Sequence, residues 1–405
     1  MRRFSRLAGL AACLLALSSA QAQDDAALRH AHVLLKSTPL VDGHNDLPIL
    51  IAENEKAPYD IDAYDLNRSM PHETDFARMR KGHLSVQFWA AYVPGELSTG
   101  WGRMGIEQIE LTRRMIAKYP KVLAPAYTAA DIERAFRAGK IASLIGVEGG
   151  HAIENSLGML RAHYLLGVRY MTLTHNVTLP WADAAMDAST NGGLTGFGKE
   201  VVREMNRLGM LVDLSHVSDA VMRDALDVSE APVIFSHSSA RALVDHPRNV
   251  PDAVLARMAR NGGVVMVTYV PWFVSPEAAV YGKALMAAAK AAGTSLDAAR
   301  PAFEKLHGPE PKATLRQVAD HIDHVAKIAG HDHVGIAADY GGASMPTGLE
   351  DTATYPALFA ELIRRGWKDD DLRKLAGRNL IRALRQAETV AARLQKTRKP
   401  SLAKM

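Results

Sequence analysis

The sequence of 405 residues contains a single cysteine, and beyond its first 22 residues it has no apolar run near the ~20 residues that a membrane span needs. One thiol cannot close an intrachain disulfide, so a disulfide-stapled scaffold is excluded. Neither sign of charge dominates, with 48 Lys and Arg against 44 Asp and Glu. Apolar residues make up 48% and charged residues 23%, which excludes global disorder and fibrous classes. Stability must therefore come from core packing, with bound metals as a further source.

The first 22 residues have the three parts of a secretory signal peptide. Arg2, Arg3 and Arg6 precede an apolar run from Leu7 to Leu17, and the small residues of Ala20-Gln21-Ala22 follow. We predict cleavage after Ala22 and export across the inner membrane, with a periplasmic location.

The cysteine, Cys13, lies within this leader, where Leu10-Ala11-Ala12-Cys13 offers a lipoprotein cleavage box as the alternative. The apolar run continues past Cys13, so we expect no lipid anchor. Residues 396–405 carry four basic residues and are expected to form a basic, frayed tail. Without the leader and this tail, acidic residues slightly outnumber basic ones, so we expect no nucleic-acid partner.

Eight short apolar runs alternate with helical patterns along the chain, which predicts parallel strands. Helices are predicted at 131–138, 199–208, 217–226 and 251–259. Eight strand–helix units favour a (β/α)₈ barrel of the TIM type over an open sheet. The predicted strands are 39–44, 84–92, 141–148, 168–175, 210–216, 232–237, 263–269 and 333–339.

We predict one barrel domain over residues 23–395, closed by a helix at 371–395. Residues 271–316 exceed the minimal barrel and are rich in alanine in their middle. Two interpretations stay open for this insert: a surface helix pair, or a lid or wall beside the mouth of the barrel.

Six of the eight predicted strands end in a histidine or a carboxylate, at the end where barrel enzymes place their catalytic groups. The strand-end residues are His44 and Asp46 after the first strand, Glu148, His175, His216, His237 and Asp339. Three imidazoles and two carboxylates suit borderline divalent ions, zinc above all.

The spacing of His44 and Asp46 puts both on one side of a strand, because side chains repeat every second residue. Glu148 has two oxygens and can bridge two ions. His216 and His237 would complete the ligand set of such a two-ion site. Two ions about 3.5–4 Å apart can hold one hydroxide between them and polarise a carbonyl. The residues therefore predict a two-zinc hydrolytic centre.

Three further residues are candidates for handling substrate. Asp339 is predicted to carry the proton from the attacking water to the leaving amine. His175 can donate to a carbonyl oxygen or oxyanion. Arg248 is predicted to clamp a substrate carboxylate, the alternative being a loop arginine with no such role. Asp183 and Tyr269 are weaker candidates for lining the pocket.

The remaining histidines serve as controls for this interpretation. The run His331-Asp332-His333 precedes a strand, so it is assigned to the opposite face of the barrel and excluded. His321 and His324 are expected to face solvent. His151 follows Glu148 closely and is a candidate for supporting the ligands.

Five motifs together resemble the renal (membrane) dipeptidases, zinc metallopeptidases of the amidohydrolase-like barrels. The resemblance runs from about residue 35 to 390. The motifs are Val41-Asp-Gly-His-Asn-Asp46, Gly146-Val-Glu-Gly-Gly-His151, Tyr170-Met-Thr-Leu-Thr-His-Asn176, Asp213-Leu-Ser-His216 and Phe235-Ser-His-Ser-Ser239.

The resemblance implies that His44 and Asp46 bind one zinc, that His216 and His237 bind the other, and that Glu148 bridges. It also implies dipeptide substrates, tolerance of a D-residue at the C-terminal position, and homodimers. His175 would contact the scissile carbonyl and Arg248 the free carboxylate.

One departure is visible after the last strand, where the family usually has Asp-Phe-Asp-Gly and this chain has Asp339-Tyr-Gly-Gly342. The second aspartate is replaced by Gly341, which puts substrate orientation or side-chain preference in doubt. Hydrolysis of another amide, a β-lactam or a lactone is therefore a second hypothesis. A non-catalytic protein that keeps the metals structurally is a third.

Overall fold

The structure is a computed structural model that describes residues 26–405. The leader, its cleavage site and Cys13 lie outside the described residues. The centre of the fold is a parallel sheet of nine strands. The strands are β1 Leu40–Asn45, β2 Leu84–Tyr92, β3 Leu123–Pro125, β4 Ile141–Glu148, β5 Val168–Thr172, β6 Leu211–Asp213, β7 Val233–Phe235, β8 Val264–Thr268 and β9 Val334–Ala337.

Eight of these strands follow one another around a barrel in the order β1-β2-β4-β5-β6-β7-β8-β9. The barrel closes between β9 and β1, where Asn45 and Tyr340 form a parallel bridge and Asp46 N donates to Tyr340 O at 2.8 Å. All eight predicted strands and the TIM-type barrel are confirmed. The ninth strand, β3, pairs beside β4 outside this ring and was not predicted, because three residues are too few to show a period.

Helices connect the strands and cover the outside of the barrel. They are α1 26–36, α2 Leu47–Ala52, α3 Phe76–Lys81, α4 Trp101–Lys118, α5 Ala129–Arg137, α6 Leu157–Leu166, α7 Gly196–Leu208, α8 Asp219–Val228, α9 Asp252–Leu255, α10 Met258–Asn261, α11 Pro271–Val274, α12 Pro276–Ala292, α13 Leu296–His307, α14 Leu315–Ala329, α15 Tyr355–Arg364, α16 Asp369–Arg373 and α17 Asn379–Thr397.

Local sequence sets the limits of these helices. Thr128 and Asp131 form a capping box that starts α5, and Thr195 caps α7 by accepting from Gly198 N. Gly209, with φ +85°, ends α7 in the left-handed conformation that glycine adopts without strain. No helix in the range 26–405 has the length and apolar character needed to cross a membrane.

The insert at 271–316 divides into two parts. The short helix α11 packs against the loop after β7, where Asn249 donates to Phe273 O at 2.8 Å. Helix α12 packs on α11 beside Trp272, and α13 packs on α12. Trp272 Nε1 also donates to Glu310, in the loop after α13, at 2.5 Å. Helix α11 therefore forms a wall beside Arg248 at the barrel mouth, and α12 and α13 form a surface helix pair.

The predicted closing helix is present as α16 and α17, joined by a wider turn at Lys374–Arg378. Helix α17 extends to Thr397, two residues into the predicted tail. Beyond it, Ser401 Oγ donates to Glu200 at 2.9 Å, and Ser401 O accepts from Arg161 at 3.1 Å. These contacts hold the tail against α7 and α6.

Two expectations for histidines are tested by the fold. His333 Nδ1 lies 2.8 Å from Gly263 O, just before β8, so the 331–333 group lies at the face opposite the carboxyl ends, as predicted. The prediction that His321 faces solvent is wrong. His321 is buried and accepts from Ala240 N at 3.0 Å, because the apolar stripe of α14 turns it toward the barrel.

Candidate metal centre

The carboxyl ends of five barrel strands bring six predicted residues into one buried cluster. The ligand atoms of these residues form overlapping groups within 4.8 Å of one another. The members are His44 on β1, Asp46 just after it, Glu148 at the end of β4, His216 after β6, His237 after β7 and Asp339 after β9. His175, after β5, joins the group around Glu148 and His216.

The Glu148 carboxylate lies at the centre of this cluster. Its Oε1 is 3.0 Å from His216 Nε2 and 3.4 Å from His237 Nε2, and its Oε2 is 3.5 Å from His44 Nε2. His44 Nε2 is also 3.5 Å from Asp46 Oδ1 and 3.8 Å from Asp339 Oδ1. One carboxylate thus faces both halves of the predicted ligand set.

The opposite nitrogen of each of the three imidazoles is held by an oxygen. His44 Nδ1 is 2.8 Å from Tyr170 Oη, and His237 Nδ1 is 2.8 Å from Ser236 Oγ. His216 Nδ1 is 3.0 Å from Asn176 Oδ1. Hydrogen bonds at Nδ1 fix the ring orientation of metal-ligating histidines and leave Nε2 for the metal.

The protonation states of His237 and His216 also fit a metal site, whereas the neighbouring carboxylates hold the pKa of His44 above its ordinary value. Burial lowers the pKa of His237 to about 4 and the pKa of His216 well below its ordinary value, so both rings are neutral at pH 7. Neutral imidazole is the form that binds a metal. His44 Nε2 is buried and has no hydrogen-bond partner in the described part of the chain. A divalent ion would satisfy this nitrogen, so the residues present fit the predicted pair of ions.

Glycines give the cluster its room. A Cβ on Gly146 of β4 would lie 2.0 Å from the ring of Tyr170, which crosses from β5 to reach His44 on β1. A Cβ on Gly342 would lie 2.6 Å from Asp46 Oδ2 and 2.8 Å from Asp339 Oδ1. A glycine inside a strand often marks a place where another group approaches the backbone closely. Gly146 was therefore the one sequence signal for Tyr170, which was not predicted to be a functional residue.

Two members of the cluster have left-handed backbone conformations. The φ angle is +67° at His216 and +65° at Asp339. Residues other than glycine adopt this region at a cost, and such positions concentrate at functional sites. The backbone here is turned so that both side chains face the barrel mouth.

Arg248 is brought to the same mouth by the loop after β7. It is 3% exposed, its Nε has no hydrogen-bond partner among residues 26–405, and its Nη2 donates to His237 O at 3.3 Å. Its guanidinium carbon lies 4.9 Å from the ring centroid of Phe273. Burial lowers the pKa of Arg248 to about 10, so it stays charged at pH 7. A buried, under-satisfied cation suits a carboxylate ligand.

His175 lies beside the ligands, with its ring centroid 4.4 Å from that of His216 and 4.8 Å from that of Tyr92. Burial lowers the pKa of His175, which keeps its ring neutral, and its Nδ1 has no hydrogen-bond partner in the described chain. His151 contacts none of the ligands by hydrogen bond; its Nε2 bonds to Val93 O at 2.7 Å.

The two weaker pocket candidates have other surroundings. Asp183 accepts from Ser189, Thr190, Asn191 and Gly193 and so holds its own loop together. Tyr269 is fully buried and packs against Tyr340 and Tyr355.

Two buried aspartates support the cluster and were not assigned roles from sequence. Asp42 accepts from His44 N, Ala338 N and the Tyr355 hydroxyl. Asp213 accepts from Thr172 of β5, from Ser236 just after β7, and from its own loop. Both belong to motifs that carry ligands, but their partners come from distant parts of the chain.

Comparison with known proteins gives a match to the family model described as membrane dipeptidase, peptidase family M19, over residues 28–398. An uncharacterized dipeptidase of Schizosaccharomyces pombe is 41% identical over 377 residues, which cover 89% of this chain and 83% of the yeast protein.

Solved structures share the fold. The probable dipeptidase PvdM of Pseudomonas aeruginosa matches with a TM-score of 0.80 and 24% identity, over 91% of this chain and 100% of that one. A metallopeptidase of Rhodobacter sphaeroides, liganded with a phosphinate mimic of the dipeptide L-Ala-D-Ala, matches with a TM-score of 0.72 and 23% identity, over 86% and 99%.

Proposed function

The chain belongs to the membrane dipeptidase family of metallopeptidases, and from that premise we propose that it hydrolyses dipeptides at a pair of zinc ions. The observation that carries this proposal is the convergence of three histidine Nε2 atoms on the Glu148 carboxylate, within 3.0–3.5 Å.

The residues divide into two ligand sets around Glu148. His44 and Asp46 would hold one ion, His216 and His237 the other, and Glu148 would bridge them and act as a catalytic group. Such ions, when bound, supply a water of lowered pKa and polarise the substrate carbonyl. Imidazole and carboxylate ligands with no thiolate suit zinc.

Substrate would be held by the two groups that have free hydrogen-bonding capacity at the mouth. Arg248 binds the free carboxylate of the dipeptide, and His175 donates to the carbonyl oxygen of the scissile bond. A carboxylate clamp so close to the ligand cluster restricts the substrate to short peptides. The solved relative that holds an L-Ala-D-Ala mimic supports tolerance of a D-residue at the C-terminal position.

Asp339 would move the proton. During hydrolysis the water oxygen bonds to the carbonyl carbon, and the C–N bond breaks. Asp339 accepts the proton of that water and returns it to the leaving amine nitrogen. Burial raises the pKa of Asp339 toward neutral pH, and a carboxylate with such a pKa is a better proton carrier.

Metal analysis and a dipeptide panel on the same purified protein test the proposal. We expect two zinc ions per chain, turnover of dipeptides, and a loss of more than about 100-fold in kcat for Glu148→Gln with loss of at least one ion. Full activity in Glu148→Gln would contradict the bridging role.

Because Gly341 stands where the family usually has an aspartate, other substrate classes should be tested beside dipeptides. Its φ is +91°, and a Cβ there would lie 3.0 Å from Leu50 and 3.3 Å from the Asp46 Cβ, so an aspartate would be strained in this turn. This turn is thus shaped for glycine. The panel should include N-acyl amino acids, β-lactams and lactones, because the missing aspartate puts the substrate preference in doubt. A dipeptide rate far below theirs would favour the alternative.

Export to the periplasm and a homodimer complete the proposal. The leader supports the first, and family resemblance supports the second. Cell fractionation with N-terminal sequencing, and light scattering on the processed protein, test these two points directly.

A further inference from the structure

A chain of hydrogen bonds runs from a buried aspartate to one of the metal ligands. Ser236 Oγ lies 2.6 Å from Asp213 Oδ2 and 2.8 Å from His237 Nδ1. Its third neighbour, Ser215 Oγ, is more distant, at 3.4 Å. Asp213, Ser236 and His237 are all fully buried or nearly so, at 0%, 0% and 1% exposed.

The hydrogen bonds around Asp213 match an ionised carboxylate. Its Oδ1 accepts from two backbone amides, Ser215 N at 3.1 Å and Ser236 N at 2.8 Å. Its Oδ2 accepts from two hydroxyls, those of Thr172 at 2.5 Å and Ser236 at 2.6 Å. Four donors fill the accepting positions of the two oxygens.

The direction of the Ser236 bond decides the tautomer of His237. A hydroxyl has one proton, and a carboxylate can only accept, so the Ser236 proton points to Asp213. Ser236 Oγ must then accept from His237, which places the imidazole proton on Nδ1. The lone pair of Nε2 is left facing Glu148, 3.4 Å away.

We propose that Asp213 is a positioning residue for the metal ligand His237 and acts through the Ser236 hydroxyl. This inference rests on the proposed function, because it needs His237 to bind a metal through Nε2. Each of the three ligand histidines is held at Nδ1 by a neutral oxygen, but Tyr170 Oη donates to a backbone carbonyl, and no carboxylate bonds Tyr170 or Asn176 among residues 26–405. Of the three partners, Ser236 is the one that donates to a carboxylate.

Asp213→Asn reverses this chain while keeping its shape. The amide oxygen can still accept from the two backbone amides, so the new NH₂ group faces the hydroxyls. Ser236 then accepts from the amide and donates to His237 Nδ1, which forces the imidazole proton onto Nε2. Replacing a carboxylate by its amide behind a histidine is known to impose the wrong tautomer in serine proteases.

The experiment measures zinc affinity by competition with a chromophoric chelator, together with the visible spectrum of the Co²⁺-loaded protein. We expect Asp213→Asn to weaken one of the two ions by about 10- to 100-fold, and Ser236→Ala to weaken the same ion by less. The double variant should return to the level of Ser236→Ala, because the reversed hydroxyl is absent.

Thr172→Val is the matched control, since it removes a donor to Asp213 without touching the Ser236 link. It should leave both affinities unchanged. Equal loss in Thr172→Val and Asp213→Asn, or wild-type affinity in Asp213→Asn, would overturn the inference. If Asp213→Asn does not fold, wild-type affinity in Ser236→Ala overturns it instead. Wild-type protein that binds no ion contradicts the metal centre itself, and the inference with it.

Discussion

At the scale of the single residue, Arg248 shows how a functional group differs from a structural one. A structural buried arginine has partners for its guanidinium, as Arg207 has in Glu204 at 2.7 Å. Arg248 is as deeply buried, yet within residues 26–405 its guanidinium bonds only the backbone oxygen of His237, at 3.3 Å, and lies over the Phe273 ring. Its free donors face the mouth of the barrel, which is why we assign it to the substrate.

Arg248→Met should separate function from stability. The variant loses a charge-assisted contact worth about 2 kcal/mol, so kcat/KM for dipeptides should fall by roughly 30-fold or more. The unfolding temperature should stay the same or rise, because replacing an uncompensated buried charge by an apolar chain often stabilises a protein.

C-terminally amidated dipeptides provide the control for Arg248→Met. They lack the carboxylate, so the variant and the wild type should turn them over at similar rates. An equal loss on amidated and free dipeptides would show that Arg248 acts on something other than the carboxylate.

His163, on α6, is a buried histidine that does not belong to the candidate metal centre. Neither ring nitrogen has a hydrogen-bond partner in the described chain, and burial alone lowers its pKa to about 4. The unfolded chain binds a proton near pH 6.5 and the folded chain does not, so stability falls as the pH drops from about 6.5 to 4.

His163→Leu should therefore reduce the acid sensitivity of folding. At pH 5 the free energy of unfolding of the wild type should be about 2 kcal/mol lower than at pH 8 because of this residue, and the variant avoids that loss. Urea unfolding at pH 5 and pH 8 measures the difference. His30→Leu, at an exposed position, is the control, and an identical pH dependence in wild type and His163→Leu would refute the assignment.

At the scale of secondary-structure elements, the packing of β4 against β5 sets the geometry of His44. Gly146 leaves the space for the Tyr170 ring, and Tyr170 holds His44 Nδ1 from the far side of the barrel. The glycine is therefore needed for a side-chain contact rather than for a turn.

Gly146→Ala should disturb this contact and the metal centre together. The new methyl group overlaps the Tyr170 ring, and overpacking of this kind costs about 1–3 kcal/mol. We also expect zinc affinity to fall at least 10-fold because His44 loses its anchor. Tyr170→Phe should reproduce the affinity loss with less destabilisation; normal affinity in both variants would contradict the coupling. Denaturant unfolding and chelator competition give the two values.

The insert illustrates what an element pattern leaves open. Its alanine-rich middle predicted helices but fitted either a surface pair or a wall at the mouth. The structure assigns the wall to α11 alone, through Phe273 and Arg248, and the surface pair to α12 and α13. The difference comes from Trp272, which packs the pair onto α11 and away from the ligands.

At the scale of the whole molecule, the metal ions should contribute strongly to stability. Asp46, Glu148 and Asp339 converge on His44, with carboxylate oxygens 3.5–3.8 Å from its Nε2. Removing bound ions leaves these carboxylates to repel one another. An ion present at 1,000 times its Kd stabilises the folded state by about 4 kcal/mol.

Chelation should accordingly lower the unfolding temperature by several degrees, and added zinc should restore it. Calorimetry with and without a chelator makes the measurement. A reducing agent is the control and should have no effect, because the chain has one cysteine and no intrachain disulfide. An unfolding temperature that is the same with and without the chelator would contradict a metal centre within the barrel.

The sequence by itself determined the barrel and the identity of the clustered residues. Both depend on regular geometry: alternating strands and helices close into a parallel barrel, and its strands all end at the same mouth. Polar residues at strand ends such as His44, Glu148 and His237 could therefore be placed together without knowing any contact. The strand β3 was missed because its three residues show no period.

Only the tertiary structure decided which atoms of those residues face one another. Tyr170 and His44 are 126 residues apart, and Asp213 reaches His237 through Ser236, which follows the neighbouring strand β7. The burial of His321 likewise depends on what α14 packs against. Such contacts follow from the reach of side chains across the folded interior, for which local periodicity carries no information.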